Sequence, residues 1–485
     1  MVTITEPLPF QAEALDLMDS KYNGRVLLAD DMGLGKTFQC IRFAYDHDLF
    51  PAVIVCPAAV KYNWEIEIQQ HLGLRAEVLS GRKAAKRPKF FKPPPFTIIN
   101  YEILGGWLEY FHSLKPKLVG IDEAHRLGNK SSQQSINVRA LVRGGMDLTV
   151  LEKRALKEAG KKRLKRHPVP NLVAMTGTPF ENRPVELYTV LNLLCPKVFD
   201  SFPDFGERYC GARMERGKRV YKGAGNLKEL RTRLKKNCMI RRRKVEVLDQ
   251  LPEKTRSILP LKIEKLSEYR KAEKDFSEWL RVNRHTSYKD KGVERLNRYG
   301  HLKRYASELK QKAVEQWIQD FLDNTDEKLV VFGIHRKVLE PIRERWKNES
   351  VLITGKVSGR RRQRAIERFI RDSKKRLVVG NLKAAGVGIN GLQKVCRTAA
   401  FIELGWNPGS HLQAEDRLWR IGQGMGVNIY YLVGHGTIEE RLCKLIQQKN
   451  RWFNAAFNED EQVEDFDLFN MLEKELLRGR RHHKT

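Results

Sequence analysis

Short runs of aliphatic and β-branched residues recur along the 485-residue chain, and each is followed by a polar stretch of helical length. Continuous apolar strands that alternate with helices are typical of a parallel β-sheet covered on both faces. Because the runs form two series, we predict two α/β domains of similar kind. The runs are Val26–Ala29, Ala52–Cys56, Thr97–Asn100, Leu118–Asp122 and Leu172–Met175, then Leu329–Phe332, Val351–Thr354, Leu377–Gly380, Ala399–Ile402 and Val427–Val433.

Composition shifts between the two series predict the domain boundaries. The basic run Arg241–Lys244 leads into Leu251-Pro252, which indicates a linker, and the charged stretch after it has few turn residues. A second basic stretch, Arg143–His167, is either a solvated surface helix or an additional nucleic-acid contact, and the sequence leaves both open. The predicted parts are a first domain at 1–245, a linker at 246–262, a helical elaboration at 263–325, a second domain at 326–450 and a tail at 451–485.

The net charge points to a polyanionic partner. The chain has 90 Lys and Arg against 59 Asp and Glu, a formal charge of +31, which by itself does not distinguish DNA, RNA and anionic membranes. The seven cysteines never form a CxxC pair, which excludes a zinc ribbon and favours a reducing, intracellular setting. No apolar run approaches the roughly 18 residues of a membrane span, so we expect no membrane association.

The segment Asp30–Thr37 has the composition of a phosphate-binding loop. Gly33 and Gly35 let the backbone turn so that several N–H groups point at phosphate oxygens, and the next helix adds its positive N-terminal end. Lys36 is predicted to reach the β- and γ-phosphates, and the Thr37 hydroxyl to bind Mg²⁺. The usual first glycine of G-x-x-x-x-G-K-[ST] is replaced by Asp30, but the position between a strand and a helix supports the prediction.

Two adjacent acids end the run Leu118–Asp122. Asp122 is predicted to hold the magnesium ion, directly or through water, and Glu123 to accept a proton from the attacking water. The alternative is a pair of solvated acids at a strand end. In combination with the Lys36 loop, the pair favours nucleotide hydrolysis.

These segments resemble those of a known family. Ala29–Thr37 resembles the first motif of Swi/Snf-type ATPases of helicase superfamily two, in which acids often stand where Asp30 and Asp31 do. Further segments are similar, in order, to motifs Ia, II, III, V and VI, and the last block is most similar to the HepA-related (HARP) annealing-helicase branch. They are Cys56-Pro57 with Asn63–Glu65, Asp122–Leu127, Met175–Pro179, Gly386–Asn390, and Gln413–Arg417 with Arg420–Gln423, preceded by Trp406–Gly409.

The resemblance implies an α/β fold of two RecA-like parallel-sheet lobes in tandem with helical insertions, with ATP and Mg²⁺ bound in the cleft between them. On this basis Gln11 would recognise adenine and Gly388 would line the nucleotide site. Arg417 and Arg420 would reach the γ-phosphate from the second lobe and neutralise transition-state charge.

The same resemblance assigns residues to coupling and to DNA. The residues that would couple nucleotide state to lobe movement are Thr176, Gly177, Thr178 and Gln413. Those that would contact DNA are Lys61, Asn63, Lys383, Asn390 and Trp406. Three positions depart from the family pattern: Trp419 stands where histidine is usual, Glu403 where aspartate is usual, and Lys383 lies in a stretch that is ordinarily rich in Ser and Thr.

The sequence therefore predicts an intracellular, monomeric, DNA-stimulated ATPase that translocates on double-stranded DNA by holding its phosphate backbone. It would act in replication, repair or recombination, in the cytoplasm of a bacterium or viral host or in a nucleus, and the tail either braces the lobes or binds a protein partner. Three alternatives stay open: a strand-separating DNA or RNA helicase, a strand-annealing protein by analogy with the HARP branch, and a non-enzymatic nucleic-acid-binding protein.

Overall fold

The computed structural model describes residues 4–83, 92–144, 167–177, 179, 183–215, 217–221, 223–248, 251–282, 288–355, 359–382, 390–446 and 472. The chain forms two compact units whose main spans are residues 1–249, the N-terminal unit, and 250–461, the C-terminal unit. Each contains a parallel sheet with helices, so the predicted α/β fold with two parallel-sheet domains is confirmed. Within the described ranges, no helix combines the length and apolar character that crossing a membrane requires.

The sheet of the N-terminal unit has seven described strands in the order β3-β4-β2-β5-β6-β1-β9, and all neighbouring pairs are parallel. Strands β2, β4 and β5 are almost entirely buried because their continuous apolar sequences leave no polar face. The strands are β1 (Arg25–Leu28), β2 (Ala52–Cys56), β3 (Ala76–Val78), β4 (Phe96–Asn100), β5 (Leu118–Asp122), β6 (Asn171–Met175) and β9 (Met239–Ile240); β7 (Ala212–Glu215) and β8 (Lys218–Tyr221) form a separate antiparallel hairpin.

Helices connect these strands. They are α1 (Pro9–Ser20), α2 (Lys36–Asp46), α3 (Lys61–Leu72), α4 (Leu108–Leu114), α5 (Gln133–Val142), α6 (Tyr188–Leu194), α7 (Phe202–Tyr209), α8 (Leu227–Asn237) and α9 (Lys244–Val247). Helix α2 follows β1 and α3 follows β2, the right order for crossovers between parallel strands. Most of the basic stretch 143–167 lies outside the described residues, so its two interpretations stay open.

The sheet of the C-terminal unit has six described strands in the order β10-β15-β14-β11-β13-β12, again with parallel pairs. The strands are β10 (Lys254–Leu261), β11 (Leu329–Gly333), β12 (Ser350–Ile353), β13 (Leu377–Asn381), β14 (Thr398–Phe401) and β15 (Val427–Gly434). The helices are α10 (Leu266–Val282), α11 (Tyr288–Leu309), α12 (Gln311–Asn324), α13 (Arg336–Arg345), α14 (Gly359–Arg371) and α15 (Pro408–Glu415), with residues 438–446 also helical.

Strand β10 lies within the segment that the sequence predicts as a linker, residues 246–262. The structure differs there because all eight residues of β10 pair with β15. Lys254 and Arg256 lie in the strand, and charged residues do not fit the continuous apolar pattern from which buried strands are predicted. In the fold, both side chains donate to the buried carboxylate of Glu415. The strand therefore depends on a partner more than 150 residues away along the chain.

Candidate active site

The loop after β1 has the conformation that a phosphate-binding loop needs. Gly33 and Gly35 have φ values of 84° and 77°, in the left-handed region that glycine tolerates. A Cβ at Gly35 would lie 2.5 Å from Nε2 of Gln11, so no larger residue fits without displacing that amide. The loop ends where α2 begins at Lys36, which directs the N-terminal end of the helix toward the bend.

Lys36 is held inside this loop. Its ammonium donates to the carbonyl oxygens of Asp30, at 2.6 Å, and Asp31, at 3.0 Å. Burial lowers the pKa of Lys36, while the negative charges of Asp30 and Glu123 oppose that shift. Thr37 follows in the first turn of α2. A lysine held by loop carbonyls can exchange these bonds for the stronger charge of a phosphate.

Asp122, the last residue of β5, is partly buried and held from two sides. The indole Nε1 of Trp64, on α3, donates to Oδ2 of Asp122 at 3.0 Å, and the Tyr101 hydroxyl donates to its backbone oxygen at 2.5 Å. Burial raises the pKa of Asp122 to about 7, and the charge of Glu123 adds to this, whereas the indole hydrogen bond and Lys36 oppose it. Lys36, Asp122 and Glu123 are therefore near enough to influence one another electrostatically.

The residues after β5 and β6 are in contact. Glu123 has φ of 53°, and its Oε2 lies 3.3 Å from Nδ1 of His125. The same His125 nitrogen lies 3.2 Å from the Thr176 hydroxyl, just past β6. A Cβ on Gly177 would lie 2.4 Å from the Met32 side chain, so this glycine packs directly on the phosphate-binding loop. The predicted second and third motifs therefore lie against the first.

The oxygen groups here fit a magnesium ion. The hydroxyl of Thr37 and the carboxylate of Asp122 are the hard oxygen ligands that Mg²⁺ prefers. Two adjacent, partly buried carboxylates, of which Asp122 has a raised pKa, are also the environment that a divalent cation stabilises. Over the part of the chain that the structure describes, no group of three or more His, Cys, Asp or Glu could hold a metal by itself. A bound ion would thus take further ligands from phosphate and water.

In the C-terminal unit, both predicted arginines converge on one asparagine. Arg420 Nη1 donates to Oδ1 of Asn390 at 2.8 Å, and Arg417 Nη1 lies 3.4 Å from the same oxygen. Gln413 lies on α15, which directly precedes these arginines. The structure therefore brings Asn390, the last residue of the predicted fifth motif, to the arginines of the sixth motif within this unit.

Helix α15 is anchored by its last residue, Glu415. The carboxylate is fully buried and accepts hydrogen bonds from Lys254, Arg256 and the Tyr431 hydroxyl. Although burial opposes ionisation, the charges of Lys254 and Arg256 hold the pKa of Glu415 at about 2. The helix that leads to Arg417 is thereby attached to β10 and β15.

His411, on the same helix, is a buried histidine whose protonation is expected to destabilise the C-terminal unit. It is fully buried, accepts a hydrogen bond at Nε2 from the Gly405 N–H at 3.1 Å, and burial lowers its pKa from 6.5 to about 4. Since the unfolded chain binds this proton first, we expect stability to fall as the pH drops from 6.5 to 4, by about 3 kcal/mol in total. Chemical denaturation at several pH values in this range measures the free energy of unfolding. This free energy should depend less steeply on pH in His411→Gln than in the wild type.

The matched control is His435→Gln, because the His435 side chain is exposed and its Nδ1 lies 2.9 Å from Oε1 of Glu440. This variant should keep the wild-type pH slope. An unchanged slope in His411→Gln would contradict the assignment of a neutral buried imidazole.

Two of the three departures from the family pattern, Glu403 and Trp419, have structural explanations. Glu403 is fully buried and accepts hydrogen bonds from the backbone N–H groups of Ile334 and His335, at 2.6 and 2.8 Å, and from the His335 ring. Trp419 donates from its indole to the Pro252 carbonyl at 2.8 Å. Both side chains hold the C-terminal unit together at these points.

The predicted DNA contacts are distributed over both units. The Lys61 ammonium donates to the Leu79 carbonyl at 2.7 Å, and Asn63 lies in the first turn of α3. Trp406 packs edge-on against Tyr299, with ring centroids 6.2 Å apart, and contributes to the core of the C-terminal unit. Three predicted site residues lie outside the described residues: Thr178, Lys383 and Gly388.

Sequence reasoning missed two residues that hold Asp122. Trp64 belongs to the Asn63–Glu65 segment that was assigned to a motif, but nothing in the sequence indicated that its indole points at a carboxylate. Tyr101 follows β4 directly and carries no recognisable signal. Both contacts arise because β4 and β5 flank β2 in the sheet.

The Trp64 hydrogen bond leads to a specific prediction. Trp64→Phe keeps an aromatic ring but leaves the Asp122 carboxylate without this donor. Since a hydrogen bond to a charged group contributes about 1.5–3 kcal/mol, we expect nucleotide turnover to fall at least about 10-fold. Steady-state phosphate release measures the effect. Trp107→Phe is the control, because its indole donates to the Gly81 carbonyl at 3.0 Å instead, and an equal loss there would contradict the prediction.

Comparison with known proteins identifies the family of the chain. The SNF2-related domain matches residues 10–146 and 154–311, and the helicase conserved C-terminal domain matches 309–422. The chain is 32% identical over 475 residues to the SWI/SNF-related matrix-associated actin-dependent regulator of chromatin subfamily A-like protein 1 of Xenopus tropicalis, covering 95% of this chain and 46% of that protein. It is 29% identical to the DNA annealing helicase and endonuclease ZRANB3 of Homo sapiens, covering 93% and 40%.

The chain thus spans about half the length of the curated relatives it matches. Among solved structures, the Sulfolobus solfataricus SWI2/SNF2 ATPase core in complex with dsDNA is similar, with 22% identity, a TM-score of 0.41 and coverage of 98% of this chain and 97% of that one. The resemblance predicted from the sequence is confirmed by the family match. The chain belongs to the SNF2-related family of helicase-like ATPases in superfamily two.

Proposed function

We propose that this chain is a DNA-dependent ATPase that translocates on double-stranded DNA. The observation that carries the proposal is the convergence of the segments after β5 and β6 on the glycine loop, through the contacts of His125 with Thr176 and of Gly177 with Met32, in a chain of this family. A non-enzymatic binder would explain the net charge of +31 but not this convergence.

Within the N-terminal unit, different residues carry out different parts of ATP binding and hydrolysis. The loop N–H groups and Lys36 bind the phosphates, and Thr37 and Asp122 would hold Mg²⁺. That ion, when bound, offsets phosphate charge. Glu123 accepts the proton of the attacking water. Gln11, whose amide already lies over the loop, is the group proposed to recognise adenine.

The C-terminal unit is proposed to supply transition-state stabilisation. Arg417 and Arg420, both directed by Asn390, would neutralise charge on the γ-phosphate. Hydrolysis then requires both units, so each cycle changes their relative arrangement. Transmission of that change is assigned to Gln413 and to Thr176, Gly177 and Thr178, of which Thr176 already contacts His125.

DNA is proposed to bind through its phosphates, chiefly to lysine and polar side chains. The candidates are Lys61, Asn63, Lys383, Asn390 and Trp406. Counterion release makes such binding salt-dependent and largely independent of sequence. We further propose that the protein works as a monomer inside the cell, and that the tail serves as a brace or binds a protein partner.

The test is ATP hydrolysis in the presence of duplex DNA, single-stranded DNA and RNA, accompanied by displacement of a third strand from a triplex. Duplex DNA should stimulate phosphate release, and ATP should be needed for triplex displacement. Lys36→Ala should remove both activities while leaving the unfolding temperature unchanged. Stimulation by RNA alone, or unwinding of a forked duplex without triplex displacement, would favour the helicase alternative.

The likeness to a protein named DNA annealing helicase supports a second candidate, ATP-driven rewinding of separated strands. A plasmid with a stable bubble distinguishes the two functions, because rewinding closes the bubble whereas translocation alone leaves it open. Closure that depends on ATP and on Lys36 would support this function, and an open bubble despite active hydrolysis would exclude it.

A further inference from the structure

The position of the missing loop glycine is filled by a buried acid with one dominant partner. Asp30 is fully buried, and its carboxylate is gripped by Arg242, 212 residues further along the chain. Oδ1 accepts from the backbone N–H of Arg242 at 3.0 Å and from its Nε at 3.1 Å, and Oδ2 accepts from Nη2. This bidentate arrangement defines the position of both groups more narrowly than a single contact would.

The same guanidinium also reaches the residues around the proposed adenine-binding glutamine. Arg242 Nη1 donates to the Phe10 carbonyl, its guanidinium lies 5.2 Å from the Phe10 ring centroid, and Nη2 donates to Gln39 at 3.0 Å. Gln39 and Gln11 both donate to the Leu34 carbonyl, each at 3.2 Å. One arginine therefore connects α1, the phosphate-binding loop and α2.

The neighbouring acid and arginine reinforce this connection. Arg241 Nη1 donates to the Ala29 carbonyl at 2.8 Å, and its Nη2 lies 3.8 Å from Oδ1 of Asp31. The backbone N–H of Asp31 donates to the Arg242 carbonyl at 3.0 Å, and the Lys244 N–H donates to Oδ2 of Asp31 at 3.1 Å. The run Arg241–Lys244 thus packs against the phosphate-binding loop and supports it, although its composition predicts only the start of a linker.

We propose that Arg242 is a positioning residue that holds the base-recognising Gln11 at a fixed distance from the phosphate-binding loop, and that Asp30 replaces the loop glycine in order to hold Arg242. The proposal rests on the proposed ATPase function and extends it to the choice of nucleotide. If Arg242 acts in this way, its loss separates base recognition from phosphate binding. Affinity for ATP and selectivity for adenine then fall together, whereas the chemical step is less affected.

The test uses Arg242→Lys, Asp30→Asn and the double variant Arg242→Gln/Asp30→Asn, each with ATP and GTP at saturating duplex DNA. We expect each single variant to raise KM for ATP about 10-fold, with a smaller change in kcat, because uniform binding is lost. The ratio of kcat/KM for ATP over that for GTP should fall by a similar factor of about 10. The double variant should be no worse than either single variant, since both remove the same pair.

Further measurements distinguish a folding defect from a positioning defect. Circular dichroism and thermal unfolding identify variants that are folded, and the double variant, which pairs two amides, avoids leaving a buried charge unpaired. Equilibrium binding of fluorescent ATP and GTP analogues reports selectivity without turnover. Arg243→Ala is the matched control, because Arg243 pairs instead with the half-exposed Glu246 on the surface.

Folded Arg242 and Asp30 variants with wild-type KM and wild-type selectivity would overturn the inference, as would an equal loss in Arg243→Ala. If the wild-type chain neither binds nor hydrolyses nucleotide, the proposed function fails and takes this inference with it. If the wild-type chain is active and the Arg242 and Asp30 variants match it in KM and selectivity, the proposed function stands and the inference alone fails.

Discussion

Glu123→Gln is expected to bind ATP normally but to hydrolyse it about 10²–10⁴ times more slowly, the range for loss of a general base. The amide has the shape of the carboxylate but cannot accept the proton of the attacking water. Glu123 follows β5 in a left-handed conformation, and its Oε2 lies 3.3 Å from His125, which together direct the side chain. Single-turnover hydrolysis and equilibrium binding of a fluorescent ATP analogue measure the two halves of the prediction.

Glu102→Gln is a suitable control for this experiment. Glu102 lies near the same motif, with its carboxylate 3.5 Å from Arg126, and the variant removes one negative charge without touching Glu123. We expect nearly wild-type hydrolysis from it. Normal turnover by Glu123→Gln would refute the general-base assignment, whereas equal losses in both variants would point to a change in the local electric field.

Arg420→Ala is expected to lower DNA-stimulated kcat by about 10³-fold or more, the effect of removing an arginine that stabilises a phosphoryl-transfer transition state. Arg420 Nη1 donates to Oδ1 of Asn390 at 2.8 Å, which orients the planar guanidinium. Lysine cannot reproduce that geometry, so Arg420→Lys should restore little activity. The measurement is kcat and KM for ATP at saturating duplex DNA.

Two further variants define what the Arg420 result means. Asn390→Ala should have an intermediate effect, because both Arg417 and Arg420 lose the oxygen that directs them. Arg345→Ala is the control, since this arginine pairs with Glu315 on the surface of the same unit, and it should hydrolyse ATP normally. An Arg420→Ala protein that retains wild-type kcat would contradict the proposed role.

The residues of the phosphate-binding loop differ in how far their roles could be predicted from the sequence. Gly33, Gly35, Lys36 and Thr37 were assigned from sequence because a phosphate-binding loop is a local structure whose residues are consecutive. Its context between β1 and α2 could also be predicted, since strand and helix periodicity extend over only a few residues. The role of Asp30 could not, because its partner Arg242 is 212 residues away.

The C-terminal unit shows the same division. Its buried strands β11, β13 and β14 were predicted from continuous apolar runs, but β10 was assigned to a linker. The apolar residues of β10 are confined to Ile258–Leu261, a short run interrupted by Pro260, and the other half of the strand carries charges that pair with a buried acid. The departures at Glu403 and Trp419 were visible in the sequence, yet their hydrogen bonds to His335 and Pro252 required the fold.

The sequence by itself determined the ten apolar strands of the two parallel sheets, the consecutive residues of the phosphate-binding loop and the family. Only the tertiary structure decided that Trp64 and Tyr101 hold Asp122, that Asn390 directs Arg417 and Arg420, and that Arg242 lies beneath the loop. The physical reason is the separation along the chain of the residues that determine each feature. Backbone conformation and hydrophobic periodicity are set by neighbours along the chain, whereas these hydrogen bonds depend on which strands become adjacent, and β1 lies between β6 and β9 only in the folded sheet.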